Sequence, residues 1–200
     1  EKIKPVKVSR TNGKKPALYR EYWILEELKR ALYSVEKEER VQLKQKLLQA
    51  KRVYIAGMGR SGLIAVCFAM RLAQLGLQAM LVGETTVTAI QPGDLLLILS
   101  GSGNTKTLVQ YESKAIKAGA EVVLLTVDTK GEIAQNSNLV VTIPAAVAKF
   151  STDSESFSVQ PMGSLFEQSV LLLLDIIVME LMKSLGETNE TMKARHANLE

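Results

Sequence analysis

The chain has 200 residues, of which 46% are hydrophobic, which is enough to bury the core of one compact domain. Its one cysteine, Cys67, excludes an intramolecular disulfide and fits a reducing cytoplasm. Cys67 lies in an apolar helical pattern, so we expect it in the core. The lone histidine, His196, excludes a histidine-rich metal site, and we predict no metal.

The basic charge is confined to the beginning of the chain. The formal net charge is +4, yet residues 21–200 taken alone are net negative. No basic face with interleaved aromatic residues is present, so we predict no nucleic-acid partner. Residues 1–20 lack the apolar segment of a secretory signal, and we expect a flexible arm or an expression remnant there. Residues 21–200 are predicted to form a single domain.

Two amphipathic helices are predicted ahead of the first strand. Residues 19–34 place Tyr22, Leu25 and Leu28 at three-residue spacing, and residues 36–50 show a similar helical pattern. We expect an N-terminal helical hairpin whose surplus apolar surface is available to a partner subunit.

Five short apolar runs predict β-strands, and helical patterns separate most of them. Alternation of this kind predicts an α/β fold, with a doubly wound parallel sheet flanked by helices. In such sheets, ligands bind beyond the carboxyl ends of the strands. The predicted strands are residues 52–56, 78–82, 94–99, 121–127 and 139–143.

Three polar loops follow predicted strands and should meet at one edge of the sheet. They are a glycine-rich loop at residues 57–62, a turn that contains Glu84, and a loop at residues 100–105 that precedes a helix. The third loop consists of Ser100, Gly101, Ser102, Gly103, Asn104 and Thr105. Small residues let backbone amides approach a ligand, and a helix N-terminus favours anions, so this loop is a candidate phosphate site. By itself, it also fits an ordinary strand-to-helix turn with a Ser or Asn cap.

The first glycine-rich loop permits a second interpretation. Gly57, Gly59 and Gly62 match the dinucleotide fingerprint, and Glu84 stands where a ribose-binding acid would follow the next strand. A dinucleotide enzyme does not need a second phosphate-binding loop at residues 100–105, whereas a phosphosugar isomerase does. We therefore favour a phosphosugar isomerase without a cofactor.

The last part of the chain combines a long polar loop with a long apolar helix. Residues 144–162 predict a loop long enough to be functional or mobile, with a lid as one open role. The helix at residues 164–185 carries too many charged residues for a membrane span, so we predict no membrane contact. We expect it at the centre of an oligomer, and Thr188 should cap a short final helix.

Six motifs resemble the 6-phospho-3-hexuloisomerase family, whose members are built on the sugar isomerase (SIS) domain. The resemblance covers roughly residues 22–200 and leaves residues 1–20 without a counterpart. The motifs are Gly-Met-Gly-Arg-Ser-Gly at 57–62, Phe-Ala-Met-Arg-Leu at 68–72, Val-Gly-Glu-Thr-Thr at 82–86, Ser-Gly-Ser-Gly-Asn-Thr at 100–105, Gln-Pro-Met-Gly-Ser-Leu-Phe-Glu-Gln at 160–168 and Arg-His-Ala-Asn-Leu-Glu at 195–200.

The resemblance implies an isomerase that converts D-arabino-3-hexulose 6-phosphate to D-fructose 6-phosphate through an enediol, in the ribulose monophosphate pathway of formaldehyde fixation. It implies that Glu167 is the base, that Ser61 and the loop at 100–105 bind the substrate, and that Glu84 lines the sugar. Without the resemblance, Ser164 and Glu167 equally fit a capping box, in which the carboxylate binds the Ser164 amide.

The resemblance also implies a cytoplasmic homotetramer that is functionally coupled to 3-hexulose-6-phosphate synthase. In related isomerases a histidine enters the site of a neighbouring subunit, so His196 is a candidate proton relay, although a lone histidine is more often structural. Two alternatives stay open: another SIS aldose–ketose isomerase, and a phosphosugar-binding module without catalysis. A binding module would not need an acid aligned with the sugar, which favours an enzyme.

Overall fold

The computed structural model describes residues 20–145 and 158–199. The predicted arm at residues 1–20, except its last residue, and most of the predicted loop at residues 144–162 lie outside these ranges. The described helices are α1 (Arg20–Tyr33), α2 (Lys37–Gln49), α3 (Arg60–Gln74), α4 (Lys106–Lys117), α5 (Glu132–Asn136), α6 (Ser164–Leu185) and α7 (Asn189–Ala194). The strands are β1 (Val53–Gly57), β2 (Ala79–Leu81), β3 (Leu95–Leu99), β4 (Glu121–Thr126) and β5 (Leu139–Thr142).

The five strands form one parallel sheet in the order β2-β1-β3-β4-β5, which confirms the predicted doubly wound α/β fold. The chain runs from β1 outward to β2, then crosses to the other side of β1 and continues from β3 to β5. β1 and β3 pair over their full length, from Val53 beside Leu95 to Gly57 beside Leu99. Their carboxyl ends therefore lie together where the direction of winding reverses, which is where open α/β sheets bind ligands.

Helices cover both faces of the sheet. Alternate strand residues point to opposite faces, so Ile55 and Leu97 pack into one layer while Ala56 and Ile98 pack into the other. The first layer contains residues of α1, α2, α3 and α6, and the second contains residues of α4 and α5. Every residue of β3 is buried, as expected for the central strand of a parallel sheet covered on both faces.

The N-terminal hairpin packs into the same layer as α3 and α6. α1 contacts α6, and α2 contacts both β5 and α6. On α1, Leu28 is buried, whereas Tyr22 and Leu25 are exposed and leave apolar surface on the hairpin. Glu27 is buried beside Leu28, so a carboxylate lies on the core-facing side of the helix.

Helix α6 begins and ends at the predicted residues, but the chain's own core accounts for its apolar sequence. Its buried side chains recur at three- and four-residue spacing and include Leu173, Ile177 and Leu181. The helix contacts α1, α2 and α3 of the same chain. Among the described residues, no helix combines the length and apolar character that a membrane crossing needs.

The outer face of α3 is apolar. Ile64 and Phe68 point into the core, whereas Leu63, Cys67 and Met70 are exposed. The prediction that Cys67 is buried is therefore wrong. The helical pattern around Cys67 is apolar on two sides, and sequence alone did not show which side faces the sheet.

An ion pair at the amino end of β3 ties β1 to the segment ahead of β3. Asp94 is 2% exposed, and its two carboxylate oxygens accept hydrogen bonds from Arg52 Nε at 3.0 Å and Nη2 at 2.6 Å. The Gln91 amide donates to the same carboxylate at 2.8 Å. Burial alone would raise the pKa of Asp94, but these hydrogen bonds and the charge of Arg52 hold it below its usual value.

We expect Asp94→Asn to lower the free energy of unfolding by about 2 kcal/mol at pH 7, because an amide would face the Arg52 donors. The folded-state pKa of Asp94 is depressed, so its contribution is present above the ordinary aspartate pKa and disappears as the pH falls through the lower folded value. Urea titrations of the wild type and of Asp94→Asn at pH 7 and below about pH 4 would measure the loss of unfolding free energy and show that the loss is smaller at low pH.

The matched control is Glu121→Gln, which removes the exposed pair between Lys46 and Glu121 at 2.9 Å. Its cost should stay under about 1 kcal/mol. If both substitutions lowered the free energy of unfolding equally, the burial of Asp94 would not be what strengthens its ion pair with Arg52.

Candidate active site

The loop at residues 100–105 leaves the carboxyl end of β3 and is held by its own hydroxyl groups. Ser100 is buried, and its Oγ accepts a hydrogen bond from the Gly103 amide at 3.2 Å. The Asn104 amide donates to Ser102 Oγ at 3.2 Å. Two of the loop's amides are thus directed at side chains of the loop, and the first-turn amides of α4 follow directly after it.

Helix α5, which sequence analysis missed, supports the loop from the side. Asn104 Oδ1 accepts a hydrogen bond from the Glu132 amide at 2.8 Å, and the Gly103 carbonyl accepts one from the Ile133 amide at 3.0 Å. Gly131 allows this close contact, because a Cβ there would lie 2.7 Å from the Ser102 carbonyl oxygen. The side chain of Asn104 therefore joins the loop to α5.

The first turn of α6 packs directly on the same loop. A Cβ at Gly101 would lie 3.3 Å from the Phe166 ring, so the glycine leaves the space that the ring occupies. Phe166 is buried, and the residue that follows it is Glu167. Because Phe166 packs on this loop, the first turn of α6, which includes Glu167, lies at the carboxyl edge of the sheet.

Glu167 pairs with Arg60 rather than with the backbone of its own helix. Its Oε2 lies 2.5 Å from Arg60 Nε, and the side chains of Glu167 and Arg60 are 15% and 64% exposed. Gly163 is the N-cap residue of α6, with no side-chain capping bond. The alternative that Ser164 and Glu167 form a capping box is therefore wrong, because Arg60 competes for the carboxylate.

Arg60 and Ser61 reach this region through the turn between β1 and α3. A Cβ at Gly57 would lie 2.8 Å from the Ser61 carbonyl group, so only a glycine lets α3 start this close to β1. Ser61 is partly exposed in the first turn of α3. The ends of β1 and β3 thus bring together Ser61, the 100–105 loop and, through Arg60, the Glu167 carboxylate.

Glu84 and His196 lie elsewhere in the chain. Glu84 is exposed after β2 and borders a cavity of about 490 Å³, whose other lining residues include Val66 and Met70 but no residue of the two glycine-rich loops. His196 follows α7, beyond the C-terminal end of α6, and lines a cavity with Arg71. The same cavity is lined by Val178, which lies 11 residues, or about 16 Å along α6, beyond Glu167, so His196 is far from Glu167 of the same chain.

The described residues also supply a buried carboxylate near α6 that sequence analysis missed. Glu27 of α1 accepts hydrogen bonds from the segment that leads into α6. Its only signal in the sequence was an acidic residue within an otherwise apolar helical face. Among the described residues, no group of three or more His, Cys, Asp or Glu side chains is placed to hold a metal ion.

Comparison with protein families gives a match to the SIS domain over residues 46–172, which run from α2 into α6 and include both glycine-rich loops and Glu167. A 3-hexulose-6-phosphate isomerase of Bacillus subtilis is 40% identical over 177 residues, which make up 88% of this chain and 95% of that protein. A 3-hexulose-6-phosphate isomerase of Methylomonas aminofaciens is 38% identical over 154 residues, or 76% of this chain and 82% of that protein.

Two solved structures are similar to this chain over most of its length. A crystal structure from Methanococcus jannaschii, described as inferring a molecular function of 3-hexulose-6-phosphate isomerase, is 32% identical with a TM-score of 0.76. The match covers 90% of this chain and 96% of that one. The crystal structure of a hypothetical protein is 31% identical with a TM-score of 0.81, over 88% of this chain and 93% of that one.

We expect Asn104→Ala to weaken the binding of fructose 6-phosphate about tenfold, because it removes the acceptor for the Glu132 amide and loosens the loop. Isothermal titration calorimetry would measure the affinity. Gln135→Ala on the same helix serves as the control, since its side chain donates only to the Lys130 carbonyl and does not touch the loop. Unchanged affinity in Asn104→Ala would show that α5 does not hold the loop in its binding conformation.

Proposed function

Because the chain belongs to the SIS-domain family and, within it, to the 3-hexulose-6-phosphate isomerases, we propose that it converts D-arabino-3-hexulose 6-phosphate to D-fructose 6-phosphate. The observation that supports the proposal is the packing of Phe166 on Gly101, which holds the first turn of α6, to which Glu167 belongs, against a loop suited to a phosphate monoester. A phosphate anchor and a nearby carboxylate are the two parts that a phosphosugar isomerase requires.

The reaction moves the carbonyl group from C3 to C2. A base removes the proton from C2, the C3 carbonyl becomes a hydroxyl group, and the resulting enediol has a hydroxyl on both carbons. The C2 hydroxyl then loses its proton as the C2 carbonyl forms, and a proton returns at C3. The substrate is oxidised at C2 and reduced at C3, so the step balances without an external oxidant or reductant.

The phosphate would bind at the start of α4. Thr105 is the N-cap residue, yet its side chain makes no capping bond, so the first-turn amides of this 12-residue helix have no acceptor from the cap. These amides and the partial positive charge of the helix N-terminus favour a phosphate. The hydroxyl groups of Ser102 and Thr105 add donors beside them. Because the Asn104 amide is directed at Ser102 Oγ, we assign Asn104 to holding the loop.

Glu167 would act as the base at C2. Its carboxylate is largely shielded from solvent, and Arg60 fixes its orientation through the pair at 2.5 Å. The guanidinium group also places positive charge where the negative charge of an enediolate develops, which stabilises a transition state of this kind. Ser61, one residue further along α3, would bind a sugar hydroxyl. We retain Glu84 as a candidate for lining the sugar.

We further propose a homotetramer in the cytoplasm that acts in the ribulose monophosphate pathway after 3-hexulose-6-phosphate synthase, with residues 21–200 as one SIS domain. The exposed apolar side chains of α3, including Leu63, Val66 and Met70, form a surface suited to a second copy. Because His196 lies far from Glu167 in its own chain, its role as a proton relay requires a neighbouring subunit.

We expect Glu167→Gln to keep the fold and to lower kcat about 1,000-fold, because the amide cannot accept the C2 proton. The substrate would be generated by a synthase from ribulose 5-phosphate and formaldehyde, and fructose 6-phosphate would be measured by coupled NADPH formation. Glu180→Gln is the control, since Glu180 lies on the same helix and pairs with Arg40 instead. An active Glu167→Gln enzyme would remove Glu167 from the role of base.

Mixed oligomers test the contribution of His196. Glu167→Gln and His196→Ala chains should each be impaired, but their co-expression should restore activity, because one chain supplies Glu167 and the other supplies His196 to a shared site. Refolded mixtures of the two variants at varied ratios would give the recovery. Full activity of His196→Ala alone, or no recovery in the mixture, would argue against a role across subunits.

A further inference from the structure

Glu27 is a charged residue in the core-facing side of α1. It is 6% exposed, and its helical neighbours on that side, Leu28 and Ala31, are also buried. Burial of a carboxylate is costly unless hydrogen bonds compensate for the lost water. Packing alone therefore does not explain a carboxylate at this position, because an apolar residue of similar size would fill the space at a lower cost in free energy.

Among the described residues, the hydrogen bonds to the Glu27 carboxylate come from one short segment, residues 158–160. The Ser158 hydroxyl donates to Oε2 at 2.6 Å, the Val159 amide donates to Oε1 at 2.8 Å, and Gln160 Nε2 donates to Oε2 at 3.1 Å. Burial alone would raise the pKa of Glu27, but these hydrogen bonds and the nearby charge of Arg30 hold it below its usual value. The carboxylate thus remains ionised at neutral pH and anchors this segment to α1.

The anchored segment leads directly into the first turn of α6. The Ser164 amide donates to the Pro161 carbonyl at 3.1 Å, and between them Met162 has a φ of 57°, in the left-handed region that a non-glycine residue rarely adopts. A turn of this kind persists only when its surroundings hold it. Glu27 supplies such a hold on the N-terminal side of the turn.

A series of side-chain hydrogen bonds continues from Glu27 to the residue after Glu167. Gln160 donates to Glu27 through Nε2, and its Oε1 accepts a hydrogen bond from Gln168 Nε2 at 2.7 Å. Gln168 lies in the second turn of α6. The turn ahead of α6 and the helix itself are therefore tied to α1 on both sides of Glu167.

We propose that Glu27 is a positioning residue for Glu167: it ties residues 158–160 and, through Gln160, Gln168 to α1, and thereby fixes the first turn of α6 over the 100–105 loop. This role rests on the proposed function, in which Glu167 is the base. Proton abstraction requires the carboxylate within hydrogen-bond reach of C2, and displacement by about 1 Å costs up to about 100-fold in rate. Phosphate binding does not depend on this contact, because α4 and α5 hold the loop.

The amide of a glutamine cannot replace the carboxylate at this position. In Glu27→Gln, the new NH2 group faces either Gln160 Nε2 or the Val159 amide, both of which are donors. Reversal of the Gln160 and Gln168 amides relieves the first conflict, but the Ser158 hydroxyl still loses the oxygen to which it donates. Every arrangement therefore leaves one donor of residues 158–160 without its acceptor.

We expect Glu27→Gln to lower kcat about 10- to 100-fold while KM changes less than about threefold. Hydrogen exchange of the peptide that covers residues 158–168 should accelerate by about tenfold, with no change at residues 100–105. Glu26→Gln is the matched control, because the neighbouring Glu26 is partly exposed and, within the described part of the chain, pairs with Lys29 at 3.9 Å rather than with residues 158–160. Both readouts should keep wild-type values in the control.

The double variant Glu27→Gln with Gln160→Glu moves the carboxylate from position 27 on α1 to position 160, its hydrogen-bond partner. The introduced amide on α1 would then donate to the new carboxylate, which also accepts from Gln168, so the side-chain contacts that join positions 27, 160 and 168 are restored and the Ser158 hydroxyl is the donor that loses its acceptor. We expect kcat to recover to within about tenfold of wild type. A role limited to general stability predicts instead a lower melting temperature for the single variant with an unchanged kcat of the folded enzyme.

Wild-type exchange at residues 158–168 in Glu27→Gln would overturn the proposal, whatever the turnover, and so would a lower kcat that the double variant does not restore. If Glu27→Gln fails to fold, Ser158→Ala removes one of the three hydrogen bonds and should show a smaller effect with the same pattern. A wild-type enzyme that does not isomerise 3-hexulose 6-phosphate would contradict the proposed function, while the exchange experiment would still decide whether Glu27 holds the first turn of α6.

Discussion

The site depends on close packing against the loop at residues 100–105, where glycines replace side chains at the points of contact. Phe166 of α6 occupies the space beside Gly101, and Gly131 lies against the Ser102 carbonyl. A methyl group at Gly131 would collide with backbone, so the approach is limited by sterics rather than by attraction. Since these contacts bring α5 and α6 to the end of β3, the binding loop and the carboxylate have their relative positions only when the whole domain is folded.

The sheet and its two glycine-rich loops followed from local patterns. Each strand is a short, mainly apolar run, buried throughout in β3, and parallel topology follows from the helices between most of them. The observed order β2-β1-β3-β4-β5 places the turn after Gly57 beside the turn after Leu99, which is why two loops far apart in sequence met at the predicted edge. The bounds of α6 were also predictable, because Gly163 and Gly186 flank a long, mainly apolar helix.

Contacts between distant segments were not predictable in this way. The sequence around Glu167 satisfies the pattern of a capping box, yet Arg60, 107 residues earlier, takes the carboxylate. Helix α5 has only five residues, too few for a periodic signal, although its amides support the loop. Cys67 was assigned to the wrong environment, because a helix with apolar residues on two sides does not reveal which side packs on the sheet, and the burial of Glu27 was missed altogether. In each case a tertiary partner overrode the local preference.

The proposed site therefore has two parts, one whose geometry is fixed by the backbone and one whose geometry is fixed by side-chain contacts. In the proposed function, phosphate binding relies on backbone amides at the start of α4, whose directions are fixed by the sheet and by α5, so it would tolerate change in most side chains. The proposed chemistry relies on one carboxylate, Glu167, which pairs with Arg60 and follows the packed Phe166 ring. A fold that separates anchoring from catalysis in this way can keep its phosphate site while the residues on α6 change. The fold alone thus accounts for phosphosugar recognition, and the reaction must be argued from the side chains that α6 presents.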